Sequence, residues 1–210
     1  MIFASGHSIF WRLTDESGEG SDAVSVVLTN NRNQDLAEVA VESELIPALR
    51  ESGFKTESVD IEWNKRDLEL FLTLLRNTLT DPQELGELQQ IELDLNDDSV
   101  VHILQIVAAA RFATPYPAEP VINASRTLNA TGSHCAIGEL ISIDTIDGLK
   151  PGVVVAVTEE DLHCVLLDEI TSPAGDNIRF DRHDIVILNK ELALPGSFTD
   201  LTPMESELIH

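Results

Sequence analysis

The chain of 210 residues is long enough for one large domain or two small ones, and its 43% hydrophobic share belongs to a folded protein with a core of its own. Thirty-seven acidic residues against thirteen basic ones give a formal net charge of −24. A surface of that sign repels phosphate backbones and anionic lipid, so neither nucleic acid nor a membrane surface is expected as a partner.

Residues 1–22 end in a polar, turn-rich run (DESGEGSD) and read as a flexible N-terminal arm. Residues 23–28 are short and β-branched, a strand by propensity; TNNRNQ at 29–34 is a turn by composition, and 35–41 is expected to form a second strand. Ser43 caps a short helix through Arg50, with Pro47 tolerable in its first turn and Gly53 beyond its end. Val59, Ile61 and Trp63 then alternate onto one strand face. Asn64 and Asp67 stand close to a capping box, and Leu68, Phe71, Leu72 and Leu75 repeat at helical spacing, so 65–77 is predicted as a helix. Thr80, Asp81 and Pro82 break it, and Ile91, Leu93 and Leu95 alternate again. The caps at 96–99 precede a helix over 100–112 that is apolar nearly all round and is therefore expected to be buried on most sides. Its Ala108, Ala109 and Ala110 would admit another helix at close range. Pro115, Pro117 and Pro120 end it, and 121–128 is expected to form one more short helix.

This order, with its particular segments, resembles the BTB/POZ fold and its Skp-type and elongin-C-type adaptor branch. Residues 36–42 (LAEVAVE) resemble the strand leading into that family's first helix, and 59–61 followed by 67–71 resemble the next strand and helix. Residues 106–112 (IVAAARF) resemble the family's Ala-rich helix, and 121–128 its closing helix. The resemblance implies a partner-binding adaptor.

Beyond residue 133 the texture changes to short strands, at 136–143, 153–157, 162–167, 177–180 and 184–188, separated by close turns such as Pro151-Gly152 and 173–176. The expected fold class is α+β. A BTB-like mixed domain over 23–130 is followed by a small antiparallel β-barrel-like domain over 134–194 and an extended tail over 195–210. The proline-bearing segment 114–133 reads as the boundary between them.

Residues 1–13 lack a basic start followed by a long apolar run, and no window approaches the ~20 apolar residues of a spanning helix. Cys135 and Cys164 are too few for a disulfide framework, so a cytoplasmic location is expected. Phosphate-binding glycine loops, nucleophile elbows and His-Glu-x-x-His patterns are absent from the sequence. His134-Cys135, His163-Cys164 and His183 could supply zinc ligands only if their turns converge. Neighbours on a strand point to opposite faces, so buried cysteines and rim histidines are the expected arrangement, with no metal and no cofactor.

A non-catalytic adaptor or scaffold is the expected function, with a structural subunit of a larger viral or phage-like assembly as the alternative, and no enzyme. The expected interaction surface joins Phe54, Leu70 and Leu74, which lie off the main apolar stripe, to Ala108, Ala109 and Phe112 on the Ala-rich helix. The partner is a basic or mixed-charge protein, in a homo- or hetero-oligomer.

Overall fold

The computed structural model describes residues 2–3, 8–16, 21–29, 35–41, 58–78, 91–92, 97–122, 135–171 and 179–196. Within them the chain is α+β: two helices pack with two principal sheets. None of the described helices is long and apolar enough to cross a membrane.

The first sheet has strand order β4-β3-β2-β5 and is antiparallel throughout. Its strands are β2 (Ser8–Glu16), β3 (Ser21–Thr29), β4 (Asp35–Val41) and β5 (Ser58–Glu62). β2 alternates strictly: Trp11 and Leu13 point into the core, while Phe10 and Arg12 point away. On that outer face Arg12 grips Asp60 with both arms of its guanidinium, at 2.8 and 2.9 Å, and reaches Glu38 at 3.2 Å. This corrects the expectation of an N-terminal arm over 1–22. Residues 8–16 are an inner strand carrying a fully buried tryptophan, and the polar run that suggested an arm continues into β3. A two-residue strand β1 (Ile2–Phe3) pairs with β6 (Ile91–Glu92).

Helix α1 (Lys65–Thr78) starts at a reciprocal cap. Asn64 Oδ1 accepts from the Asp67 amide at 2.9 Å, and Asp67 Oδ2 accepts from the Asn64 amide at 3.0 Å. Helix α2 (Asp98–Phe112) is capped by the Asp97 side chain, which accepts from the Ser99 amide at 2.8 Å. It stops at Phe112, three positions before Pro115, which disfavours helical conformation at the residue ahead of it and has no N–H to continue the ladder.

The second sheet has strand order β14-β8-β9-β10-β13-β7. Its members are β7 (Pro115–Pro117), β8 (Leu140–Thr145), β9 (Gly148–Val157), β10 (Asp161–Leu166), β13 (Ile185–Asn189) and β14 (Ala193–Pro195). Pairing is antiparallel except between β13 and β7. Between β10 and β13 runs a small hairpin of β11 (Ile170–Thr171) and β12 (Arg179–Phe180). A short 3-10 turn (Lys190–Leu192) leads into β14. Among the described residues this sheet is open, so the expected barrel-like domain is corrected to an open, mixed sheet.

Both faces of the second sheet are covered, which explains near-continuous apolar runs such as Val153-Val154-Val155. Leu140, Val153, Val155, Val165 and Ile185 join one core with α1, α2 and the inner face of the first sheet. Ile141, Ile143, Val154, Leu162, Cys164, Leu166, Val186 and Leu188 form a second core on the opposite face, under Ile170, Phe180, Ala118 and Val121. The helices therefore touch both sheets. Polar ties reinforce the contact: Arg66 donates to the Val155 carbonyl at 3.2 Å and Asn77 to the Gly138 carbonyl at 2.9 Å.

The proline segment is likewise not a linker where it is described. Pro115–Pro117 runs beside β13 as an edge strand, a position where a residue lacking an N–H removes no inner ladder bond. Val121 and Ile122 lie in a turn and an isolated bridge to Thr145, not in the expected helix; 123–128 lie outside the described residues, as do the predicted helix at 43–50 and the tail beyond 196.

Candidate functional site

Four of the six residues expected on an interaction surface are interior. Leu70, Leu74, Ala108 and Ala109 are buried in the chain's own core, where Leu70 and Leu74 join Phe71 and Leu75 in the inward stripe of α1. The stripe read from spacing placed Leu68 inside, yet Leu68 is 39% exposed. The apolar positions off that stripe meet the protein's own elements, so the expected surface is corrected. Phe112 is half-buried and meets Trp11 edge-on with ring centroids 5.7 Å apart. Trp11 in turn stacks on Trp63 at 4.9 Å, and Trp63 meets Phe71 at 5.5 Å, so these aromatics anchor α1 and α2 to the first sheet. Phe54 lies outside the described residues.

Cys135 packs against the second core that holds Cys164, while among the described residues His163 does not join them in a metal-binding group. Cys164 points into the second core while His163 on the same strand is half-exposed. Burial pushes the Cys164 thiol up, and burial together with Glu139 raises that of Cys135, so both sulfurs are held as thiols rather than nucleophilic thiolates. Among the described residues no three His, Cys, Asp or Glu side chains gather in a metal-binding group. His134 lies outside those residues.

Two other features stand out. The first is the turn between β8 and β9. Thr145 Oγ1 donates to the Gly148 carbonyl at 2.7 Å and accepts from the Asp147 amide at 3.2 Å, and Gly148 takes a left-handed φ of 103° that closes the hairpin. The Ile146 amide donates to the Val121 carbonyl at 2.9 Å, and Lys150 bridges Asp147 at 3.2 Å and Asp168 at 3.0 Å. On this braced turn Leu149 is 60% exposed and Ile146 37% exposed. Single exposed aliphatics are ordinary, but two on one braced hairpin end leave apolar surface open to solvent beside charged groups. Sequence reading missed it because Ile146 sits in the turn itself and Leu149 at the exposed start of β9, so neither extends a buried strand stripe. The Ile-Asp-Gly-Leu pattern, with two large aliphatics around an Asp-Gly turn, was the available signal.

The second feature joins residues eighty positions apart. The Arg182 guanidinium lies 2.9 Å from His102 Nδ1 on α2, and the His102 and His183 rings are 5.6 Å apart. An arginine has only donors, so Nδ1 of His102 must accept, which fixes that imidazole as neutral with its proton on Nε2. Burial first, and then Arg182, lower the His102 pKa, partly offset by a hydrogen bond with Gln105. His183 is 9% exposed, its Nε2 is buried without a hydrogen-bond partner among the described residues, and its φ is 74°. Burial, followed by Arg182 and His102, pulls its pKa down to about 3. The hint in the sequence was His102, an ionisable residue set among the apolar positions of α2.

No family model matches the sequence, and no curated protein matches it. The BTB/POZ resemblance therefore rests on residue order alone.

Proposed function

We propose that the chain is a non-catalytic protein-interaction adaptor that presents the β8–β9 hairpin tip to its partner. The observation that carries this reading is the braced turn with Leu149 60% exposed and Ile146 beside it. Rigid apolar anchors supply most of the affinity in protein interfaces, because little side-chain freedom is lost when they enter a pocket. The partner is a protein with an apolar recess rimmed by basic or mixed charge, since the chain's −24 net charge steers cations toward it. A reducing, cytoplasmic setting suits the two free thiols.

Assembly into a larger particle by continuation of the second sheet is the weaker reading. Both outer strands carry proline, at Pro115 and Pro117 on one side and Pro195 on the other, and proline blunts edge-to-edge pairing. The test is capture from the native source with the wild-type chain and with an Ile146→Ser, Leu149→Ser variant of equal thermal stability. A distinct protein retained by the wild type and lost by the variant supports the proposal. Recovery of the chain alone, in rings or large particles, favours a structural subunit; turnover of a small molecule by the pure protein defeats both.

A further inference from the structure

Helix α2 meets the turn that precedes β13 through two imidazoles and a guanidinium, where burial and Arg182 oppose an additional proton and Gln105 only partly offsets them. We propose that this seam is an acid-sensitive latch, closed while His102 and His183 are neutral and opened when they take up protons. The closed geometry depends on an unprotonated His102 Nδ1, since it faces an Arg182 nitrogen at 2.9 Å that can only donate. A proton there would set two donors against each other and two positive charges side by side. His183 is held in place by its amide, which donates to the Leu166 carbonyl at 2.8 Å, and by a left-handed backbone that a residue with a side chain keeps only when its surroundings enforce it. Its buried Nε2 has no acceptor to receive a second N–H among the described residues.

Polar groups approach the pair from α2, from the turn before β13 and from the end of β10. From α2 come His102 itself and Gln105, which hydrogen-bonds it. From the turn come Asp181, Arg182 and Asp184. Asp181 Oδ1 is taken by Arg179 Nε at 2.6 Å, and Asp184 Oδ2 accepts from the Asp181 amide at 2.8 Å. From the end of β10 comes only backbone: the Leu166 carbonyl on His183, and the Leu166 amide donating to the Asp184 carbonyl at 2.9 Å. Among the described residues, the charges that pull the His183 pKa down are Arg182 and, once protonated, His102.

The direction follows from which form binds protons. An opened seam titrates near the ordinary 6.5, whereas the closed seam holds His183 near 3 and His102 below its ordinary value. Closure is fully favoured above the ordinary value and is lost progressively as pH falls below it. Asp184 acts in the opposite sense, because burial raises its carboxyl and acid relieves that strain. A variant that keeps Asp184 but lacks both imidazoles separates its contribution from theirs. Opening would bare apolar residues of the shared core, among them Ile185 and Val165.

Hydrogen exchange of the full chain, corrected for intrinsic rates, tests this at pH 7 and pH 5. Amides at 100–106 and 183–187 should lose protection by about ten-fold or more, reversibly, since one proton taken up preferentially by the open form changes the equilibrium by up to ten-fold per pH unit. A variant with His102→Gln and His183→Asn, the latter because asparagine tolerates left-handed backbone, should lose little. Unchanged wild-type protection, or parallel loss in the variant, overturns the latch. Should the variant not fold, NMR titration of the wild-type imidazoles decides: rings that protonate below 6.5 in step with loss of protection at 183–187 support the latch, and rings that titrate near 6.5 while those amides stay protected overturn it.

Discussion

Replacing Asp67 should damage the protein out of proportion to a single helix cap. Asp67 Oδ2 receives the Asn64 amide at 3.0 Å and Trp11 Nε1 at 3.4 Å, with Arg111 Nε at 4.0 Å. In Asp67→Ala the lost cap costs about 1 kcal/mol. The larger effect falls on Trp11, whose side chain is fully buried and whose N–H would be left without this acceptor, at roughly 1–3 kcal/mol. Arg111 is partly exposed and distant, so its share is at most a few tenths of a kcal/mol. The total is about 2–4 kcal/mol, a fall in melting temperature of roughly 5–15 °C for a chain of this size. Asp67→Asn keeps an acceptor and loses only the charge, so it should cost about 1 kcal/mol. Urea unfolding followed by tryptophan fluorescence and circular dichroism measures both. An Asp67→Ala loss under about 0.5 kcal/mol, the range of an unremarkable surface change, would refute the tie between α1 and β2.

Ala109→Leu should overpack the contact of α2 at a fully buried position, lowering stability by about 1–3 kcal/mol in the same assay; a neutral result would show that the helix has room on that side. Cys164 should react with a disulfide reagent only on unfolding, because burial holds it as a thiol within the second core, so modification of the native protein at the rate of an exposed cysteine would contradict that placement.

The helices were legible because each announces itself twice, once in spacing and once in its caps. Asn64 with Asp67, and Asp97 with Ser99, bond as the residue types foretell. The β-branched runs of the C-terminal half were legible for a similar reason, as burial on both faces demands continuous apolar strands. Residues 8–16 were misjudged although Ile9, Trp11 and Leu13 alternate, because the acidic turn that follows them looked like part of an arm. Pro115 and Pro117 looked like a boundary, since a proline's tolerance of an edge strand depends on which side its neighbour lies, and that is a tertiary fact. The burial of Leu70 and Leu74 also needed the fold: α1 is covered by α2 and by both sheets' shared core, which turns its inward stripe away from Leu68. The histidine seam was beyond reach, because eighty residues separate its parts and no local pattern links them.

The adaptor reading stands or falls on the hairpin tip, and one binding measurement addresses it. With the partner captured by the wild-type chain in purified form, the dissociation constant is compared between wild type and Leu149→Ser at matched salt. Leu149 is solvent-exposed, so the substitution should leave unfolding within about 0.5 kcal/mol. If the tip is the anchor, affinity should fall by about ten-fold or more, chiefly through faster dissociation. An unchanged dissociation constant would contradict the proposal and move the binding surface elsewhere on the chain.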